Sequence, residues 1–211
     1  MQYNGQILPK CYFYSQTERP MYENEKNTRV RRTRQAILTA VIALSGEKPF
    51  GAITVTDIAA RAGINRKTFY TYYNDLDDFT ARLRMELAEK LRPVIDEADL
   101  GSPAFDAYHF FRRIAAAVNE DLEIYRMFYR ADILAPFLEY CQDEAVKEFL
   151  SRYPGGGSLD DDKYRLLGKY LGAGLISAFT EWIVYPVVPL EEFARLMSTI
   201  TLGAFTAAET L

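Results

Sequence analysis

Apolar residues along most of this chain recur at spacings of three and four, the period of amphipathic helices and not of strands. From Thr28 onward, Ile37, Leu38, Val41, Ile42 and Leu44 share one face of a first helix, which Gly46 and Pro49 stop. A shorter apolar pattern follows, in which Ile58, Ala59 and Ala62 face inward. Thr54, three residues before Asp57, predicts a capping box at the start of that helix, with Asp in place of the usual Glu. Gly63 can adopt the left-handed conformation that ends it. Asn65 then caps a second short helix, Arg66 to Tyr73. Two short helices joined through Ala-Gly-Ile have the plan of a helix-turn-helix.

Asp75 is placed to cap a fourth helix running toward Arg92, with Pro93 bending or ending it. Further helices are expected near 103–120, 121–131, 136–152, 162–185 and 189–209. The run Tyr153-Pro-Gly-Gly-Gly-Ser-Leu-Asp-Asp-Asp reads as a loop. No strand pattern or repeat interrupts this series, so the predicted fold class is all-α. Residues 1–27 break the pattern. Gly5, Pro9 and Pro20 punctuate them, and Tyr12, Phe13 and Tyr14 keep no sustained period, so they read as an N-terminal extension. Met21 opens a stretch that could itself start a protein.

Charge sharpens the division. The formal net charge of −4 says little by itself. Between Lys26 and Tyr73, however, nine basic residues face two acidic ones, whereas residues 74–211 carry 14 basic and 24 acidic side chains. A basic head on an acidic body is the footprint of a nucleic-acid-binding module joined to a soluble domain, although a helical protein with a locally basic face gives the same count. Arg29, Arg31, Arg32 and Arg34 crowd the start of the first helix, against its macrodipole, and so call for a partner that brings negative charge. Aromatic residues, 14% of the chain, supply material for a core or an apolar cavity. Cys11 and Cys141 are the only cysteines; they make neither a metal motif nor a disulfide framework and fit a reducing cytosol. No signal peptide or transmembrane helix is expected, which points to a cytoplasmic protein with no membrane partner.

The segment from Arg34 to Phe79 resembles the N-terminal domain of the TetR family of helix-turn-helix transcriptional regulators. The matching residues are Ile37-Leu38 and Ala40, then Thr54-Val55-Thr56-Asp57-Ile58-Ala59, then Ala62-Gly63-Ile64, then Arg66-Lys67-Thr68-Phe69-Tyr70, with Tyr73, Asp75 and Phe79 continuing the register. Three positions depart from the family pattern. Leu76 stands where a phosphate-reaching Lys is usual, Ser45 replaces a Phe near the end of the first helix, and Pro49 replaces a Gly. The resemblance implies a helix-turn-helix domain over 28–75, joined by a linking helix to a helical ligand-binding and dimerisation domain over 76–211. It also implies a regulator, by family default a repressor, released from a palindromic operator by a small-molecule effector. Control by a partner protein, or a helical interaction protein without a pocket, are the alternatives.

A recognition helix needs short or polar residues that fit the major groove and donors that reach phosphates. Asn65, Arg66, Lys67, Thr68, Thr71 and Tyr72 are mostly such residues. Arg66 or Lys67 can donate to guanine N7 and O6, and Thr68 can touch a thymine methyl. The resemblance gives the hydroxyls of Tyr70 and Tyr72 to phosphates. Backbone amides opening the second helix, with the hydroxyls of Thr54 and Thr56, offer a further phosphate clamp. Arg29 and Arg32, with Arg31, can reach the flanking backbone or the minor groove. Duller roles remain open: Phe69 as core, Tyr73 as core or contact, Thr54 as a cap only, Arg61 as a surface charge.

The partners expected are double-stranded operator DNA, a second copy of the chain and a small-molecule effector. Gly168, Gly172 and Ser177 make one helix face small enough for close approach, and the last helix adds Phe193, Leu196, Met197, Ile200, Ala204 and Phe205. Together they suggest a four-helix bundle across a two-fold axis, or else ordinary packing within one chain. A ligand cavity between the C-terminal helices would draw on His109, Phe110, Arg113, Tyr125, Phe128, Tyr129, Phe137, Tyr140 and Trp182, residues that serve equally as core. Arg126 and Arg130 can hold an anionic effector or pair with Glu123 and Asp132. An enzyme is not expected: one His, no Cys-His pairing and no Glu-x-x-His leave no familiar metal site, and no catalytic residue or cofactor is assigned. The triple glycine sits between helices and not in a strand-to-helix phosphate loop.

Overall fold

The computed structural model describes residues 28–98, 105–152 and 162–209. The N-terminal extension with Cys11, the Gly155-Gly156-Gly157 loop and the side chain of Phe205 lie outside the described residues. Within them the chain is helical, with no strand. The order is α1 (Thr28–Glu47), a 3-10 turn (Phe50–Ala52), α2 (Val55–Ala62), α3 (Arg66–Tyr72), α4 (Leu76–Asp96), α5 (Ala107–Glu120), α6 (Leu122–Arg130), α7 (Leu134–Arg152), α8 (Asp162–Val184) and α9 (Leu190–Glu209).

The first three helices close around α1. Its face of Ile37, Ala40, Val41 and Leu44 is buried, and Ile58 of α2 and Phe69 of α3 are fully enclosed against the same core. Local chemistry sets the boundaries. Thr54 Oγ1 accepts from Asp57 N at 3.2 Å while Asp57 Oδ2 accepts from Thr54 N at 2.8 Å, so the capping box is complete. Gly63, at φ 66°, ends α2 in the left-handed region, and its neighbour Ile64 donates back to Ala59 O at 3.0 Å. Asn65 Oδ1 accepts from Thr68 N at 2.7 Å and starts α3. Thr54→Ala should cost about 1 kcal/mol of stability through the lost cap, as read by urea unfolding.

Asp75 caps α4 as the sequence predicts, its Oδ1 accepting from Asp78 N at 2.7 Å. The expected end near Arg92 is corrected: α4 runs through Pro93 to Asp96. Buried Val94 anchors the last turn, and Glu97 N closes on Pro93 O at 3.1 Å. The inward face of α4, Phe79, Leu83, Leu87 and Leu91, runs from the core of the first three helices into that of the later ones. A displacement of α4 is therefore felt at both ends of the molecule.

One further bond ties the two halves together, and two more brace the second. Arg130 Nε, at the end of α6, donates to Ser45 Oγ of α1 at 3.2 Å. Lys90 of α4 pairs with Asp121 at the start of α6. Arg126 Nε donates to Ile183 O of α8 at 3.0 Å, while its Nη1 pairs with Glu123 at 2.7 Å. Arg126 thus takes the ion pair with Glu123 that the sequence offers, and Arg130 reaches the first helix.

Candidate DNA interface

α2 and α3 are joined by the sharp turn at Gly63-Ile64, and α3 carries its polar side outward. Phe69 alone of α3 is buried, and this fixes which residues face solvent. Asn65, Arg66, Lys67 and Thr71 are exposed, Tyr70 is 48% exposed, and Thr68 and Tyr72 are half-buried. Arg66 and Lys67 form no ion pair among the described residues. Two cations in the first turn of a helix, held away from acids, suit an anionic partner.

Other expected residues prove to have internal duties. Asn65 and Thr68 complete the cap of α3, with Thr68 Oγ1 donating to Asn65 Oδ1 at 3.0 Å. Thr54 is the cap of α2 yet stays exposed beside exposed Thr56. Tyr73 is core, 5% exposed, with its ring 5.1 Å from that of Phe79 and 5.6 Å from that of Phe69. Arg61 pairs through both terminal nitrogens with Glu47, at 2.8 and 2.7 Å, and locks the end of α2 to the end of α1. Arg29, Arg31 and Arg32 lie exposed in the opening turns of α1. Arg34, from the same basic run, turns inward.

The electrostatics favour a rigid head. Lys48 Nζ donates to Asp57 Oδ2 at 2.6 Å, and together with the Thr54 bonds this holds the Asp57 carboxyl well below the ordinary aspartate range. A carboxyl with a depressed folded pKa stabilises above its unfolded value, and that stabilisation fades as pH falls toward the folded one. Asp57→Asn should therefore lower the melting temperature at pH 7, and the gap to the parent protein should narrow as pH drops below about 4, as thermal melts across pH can read.

Farther along the chain, the expected pocket residues are scattered. Tyr125, Phe128 and Phe137 make one buried aromatic cluster, with ring centroids 5.9 Å and 5.8 Å apart. Trp182 belongs to another, stacked 4.8 Å from Phe193 with Nε1 donating to Val188 O at 3.0 Å. Burial pushes the Tyr125 hydroxyl far above its ordinary value, so it stays neutral. His109 and Tyr129 are exposed, Phe110 is half-buried against Phe105 and Phe111, and Arg113 pairs with Glu97 at 2.8 Å. Only Tyr140 of this set borders the small cavity of about 60 Å³ between α4 and α7, with Leu91, Arg92, Ile95, Asp96 and Cys141. Sequence reading missed the α4 residues because Leu91 and Ile95 look like ordinary helix-core positions.

The expected dimer residues also divide. Phe193 and Met197 are buried inside the chain. Gly172 is buried too, and a Cβ there would meet Gln142 of α7. Gly168 and Ala204 are half-buried, while Ser177 and Ile200 are exposed. The outward stripe of α8 is Leu166, Tyr170, Gly174 and Ser177, and that of α9 is Leu196, Ile200 and Gly203. Both stripes follow the three-and-four spacing and take in Ser177, Leu196 and Ile200 of the expected set, whereas Gly172, Phe193 and Met197 face the chain's own core.

Capped α2 and α3, joined by a sharp turn and presenting cations on a short exposed helix, make a helix-turn-helix within a helical chain. Residues 37–81 match the family model described as bacterial regulatory proteins, tetR family. Over 129 residues it is 33% identical to the HTH-type transcriptional repressor LfrR of Mycolicibacterium smegmatis, a match covering 57% of this chain and 65% of that protein. It is 28% identical over 137 residues to the uncharacterized HTH-type transcriptional regulator Mb0790c of Mycobacterium bovis, covering 65% of this chain and 61% of that one. The chain thus spans less than two thirds of these curated relatives. Its fold resembles that of a tetR-family transcriptional regulator from Streptomyces coelicolor, with TM-score 0.61, 16% identity and 83% of each chain covered. It also resembles a TetR-family regulator from Syntrophomonas wolfei, with TM-score 0.59, 21% identity, and 85% of this chain and 96% of that one covered.

Proposed function

We propose that this chain is a sequence-specific DNA-binding transcriptional regulator, built as a homodimer and acting as a repressor that a small-molecule effector releases from a palindromic operator. The observation that carries the DNA role is the exposure of Arg66, Lys67 and Tyr70 on a capped helix whose buried Phe69 fixes its outward face. Arg66 and Lys67 read base edges, Thr68 offers its methyl, and Tyr70, Tyr72, Thr54 and Thr56 reach phosphates. Arg29 and Arg32 lie against the flanking backbone. Residues 28–75 do the reading; residues 76–211 dimerise and sense.

Dimerisation rests on the two exposed stripes of α8 and α9, apolar or small along their length. Small residues let helices approach closely, and Leu166, Tyr170, Leu196 and Ile200 supply the area. Two recognition helices would then reach half-sites about one turn of DNA apart, roughly 34–36 Å. Selection from a random duplex pool should return a two-fold palindrome with that spacing.

Release follows from α4. A cavity of about 60 Å³ is far below the several hundred Å³ of most ligand sites. An effector entering between α4 and α7 must part them, and α4 also carries the core of the reading head. The effector would therefore prefer a conformation whose recognition helices are wrongly spaced. The filled aromatic clusters around Tyr125 and Trp182 favour a second reading, a regulator controlled by a partner protein instead of a small molecule. A screen of small apolar compounds for release from the selected duplex separates the two.

A further inference from the structure

Among the four arginines that open α1, Arg34 alone is largely enclosed, with its side chain 15% exposed. Its guanidinium is divided between two helices. Nε donates to the Tyr73 hydroxyl at 3.2 Å, and Nη2 pairs with Glu86 Oε1 at 2.8 Å. Tyr73 is the C-terminal cap of α3, and its amide closes on Phe69 O at 3.0 Å. Glu86 lies on the third turn of α4. A second set of bonds runs beside the first. Asp78 Oδ2 accepts from Asn74 N, just past α3, at 2.8 Å, and Asp78 Oδ1 holds Arg82 Nε at 2.9 Å. The Arg82 guanidinium sits 5.9 Å from the centre of the Tyr73 ring.

We infer that Arg34 is a positioning residue for DNA reading: its guanidinium ties the C-terminal end of the recognition helix to α4 and sets the angle at which α3 is presented. This rests on the DNA role proposed above. The planar fork of arginine is what allows one side chain to satisfy a hydroxyl and a carboxylate in fixed directions; lysine offers a single point charge on a flexible stem. Tyr73 needs no hydroxyl for packing, since its ring already lies against Phe69 and Phe79. The hydroxyl serves the tie. If α4 slides along its axis, Glu86 and Tyr73 can no longer share one guanidinium, so α3 must turn with α4 or lose the bond.

The test uses the full chain and the duplex selected for it, with a scrambled duplex as the nonspecific reference. Arg34→Lys, Tyr73→Phe and the double variant are compared by fluorescence anisotropy across a salt series, with thermal melts alongside. Each single variant should lower the ratio of specific to scrambled binding by about tenfold, the scale of one lost charge-assisted hydrogen bond. The double variant should lose little more than either single one, and the salt slope should match the parent's. Loss of stability alone would lower the active fraction for both duplexes equally and leave the ratio untouched, which overturns the inference. So does a salt slope that falls by about one when the charge is removed in Arg34→Gln, because that marks a direct phosphate contact. A parent chain with no sequence preference defeats the DNA-reading role itself, and the inference with it. A parent with clear preference whose Tyr73→Phe variant keeps the full ratio defeats the inference alone.

Discussion

Arg66→Ala/Lys67→Ala should lose on the order of 2–6 kcal/mol of specific DNA binding, the sum expected if each side chain makes one good base contact. Both residues sit in the first turn of α3, exposed and outside the core. Their removal should leave unfolding within about 0.5 kcal/mol of the parent, as is usual for surface positions without packing roles. The loss should be concentrated on the preferred sequence, with nonspecific binding reduced less. Competition between the selected and a scrambled duplex measures both at once. An equal loss on the two duplexes would move these residues from base reading to phosphate contact.

Ile200→Arg should convert the dimer to monomers at concentrations where the parent is dimeric, as read by sedimentation. Ile200 is 53% exposed on the outer stripe of α9, so a charge there meets water in the isolated chain and leaves folding intact. Across a two-fold interface the same charge is buried twice without a partner, at about 3–5 kcal/mol each. DNA binding should weaken in parallel, since one recognition helix grips a half-site only. Met197→Arg should behave differently: Met197 is 5% exposed within the chain, so that variant should fail to fold before it fails to associate. Should Ile200→Arg remain dimeric, the association surface lies elsewhere.

How much of this was legible in the sequence depends on whether local chemistry decided the outcome. The helix-turn-helix was, because its signals are short-range. Thr54 and Asp57 make a capping box wherever α2 starts, Gly63 ends it at a left-handed φ, and Asn65 restarts the chain. Phe69 as core followed from the same register. Pro93 misled because a proline inside a helix costs less when a buried residue beyond it, Val94, holds the final turn.

The C-terminal half was less legible. Period alone places Phe193, Met197, Leu196 and Ile200 on a helix but does not say which of its two apolar stripes faces the chain's own core. The structure gives the inner stripe to Phe193 and Met197 and leaves Leu196 and Ile200 outside. Aromatics behaved likewise. Tyr125, Phe128 and Phe137 read as pocket or core from sequence, and three-dimensional packing put them in the core. Arg34 was legible only as one charge in a basic run; its role depends on Tyr73 and Glu86, 39 and 52 residues away. Such long-range pairing leaves no local trace.

The most direct measurement of the central claim is the affinity of the unaltered chain for its selected duplex and for a scrambled one, followed by fluorescence anisotropy from low to high salt. The expected result is two chains per palindrome, log K falling linearly with log salt on both duplexes, and a preference for the selected sequence of at least about a thousandfold at physiological salt. Equal affinity for both duplexes at every salt concentration would contradict it, since α3 would then be a basic surface and not a reader of bases.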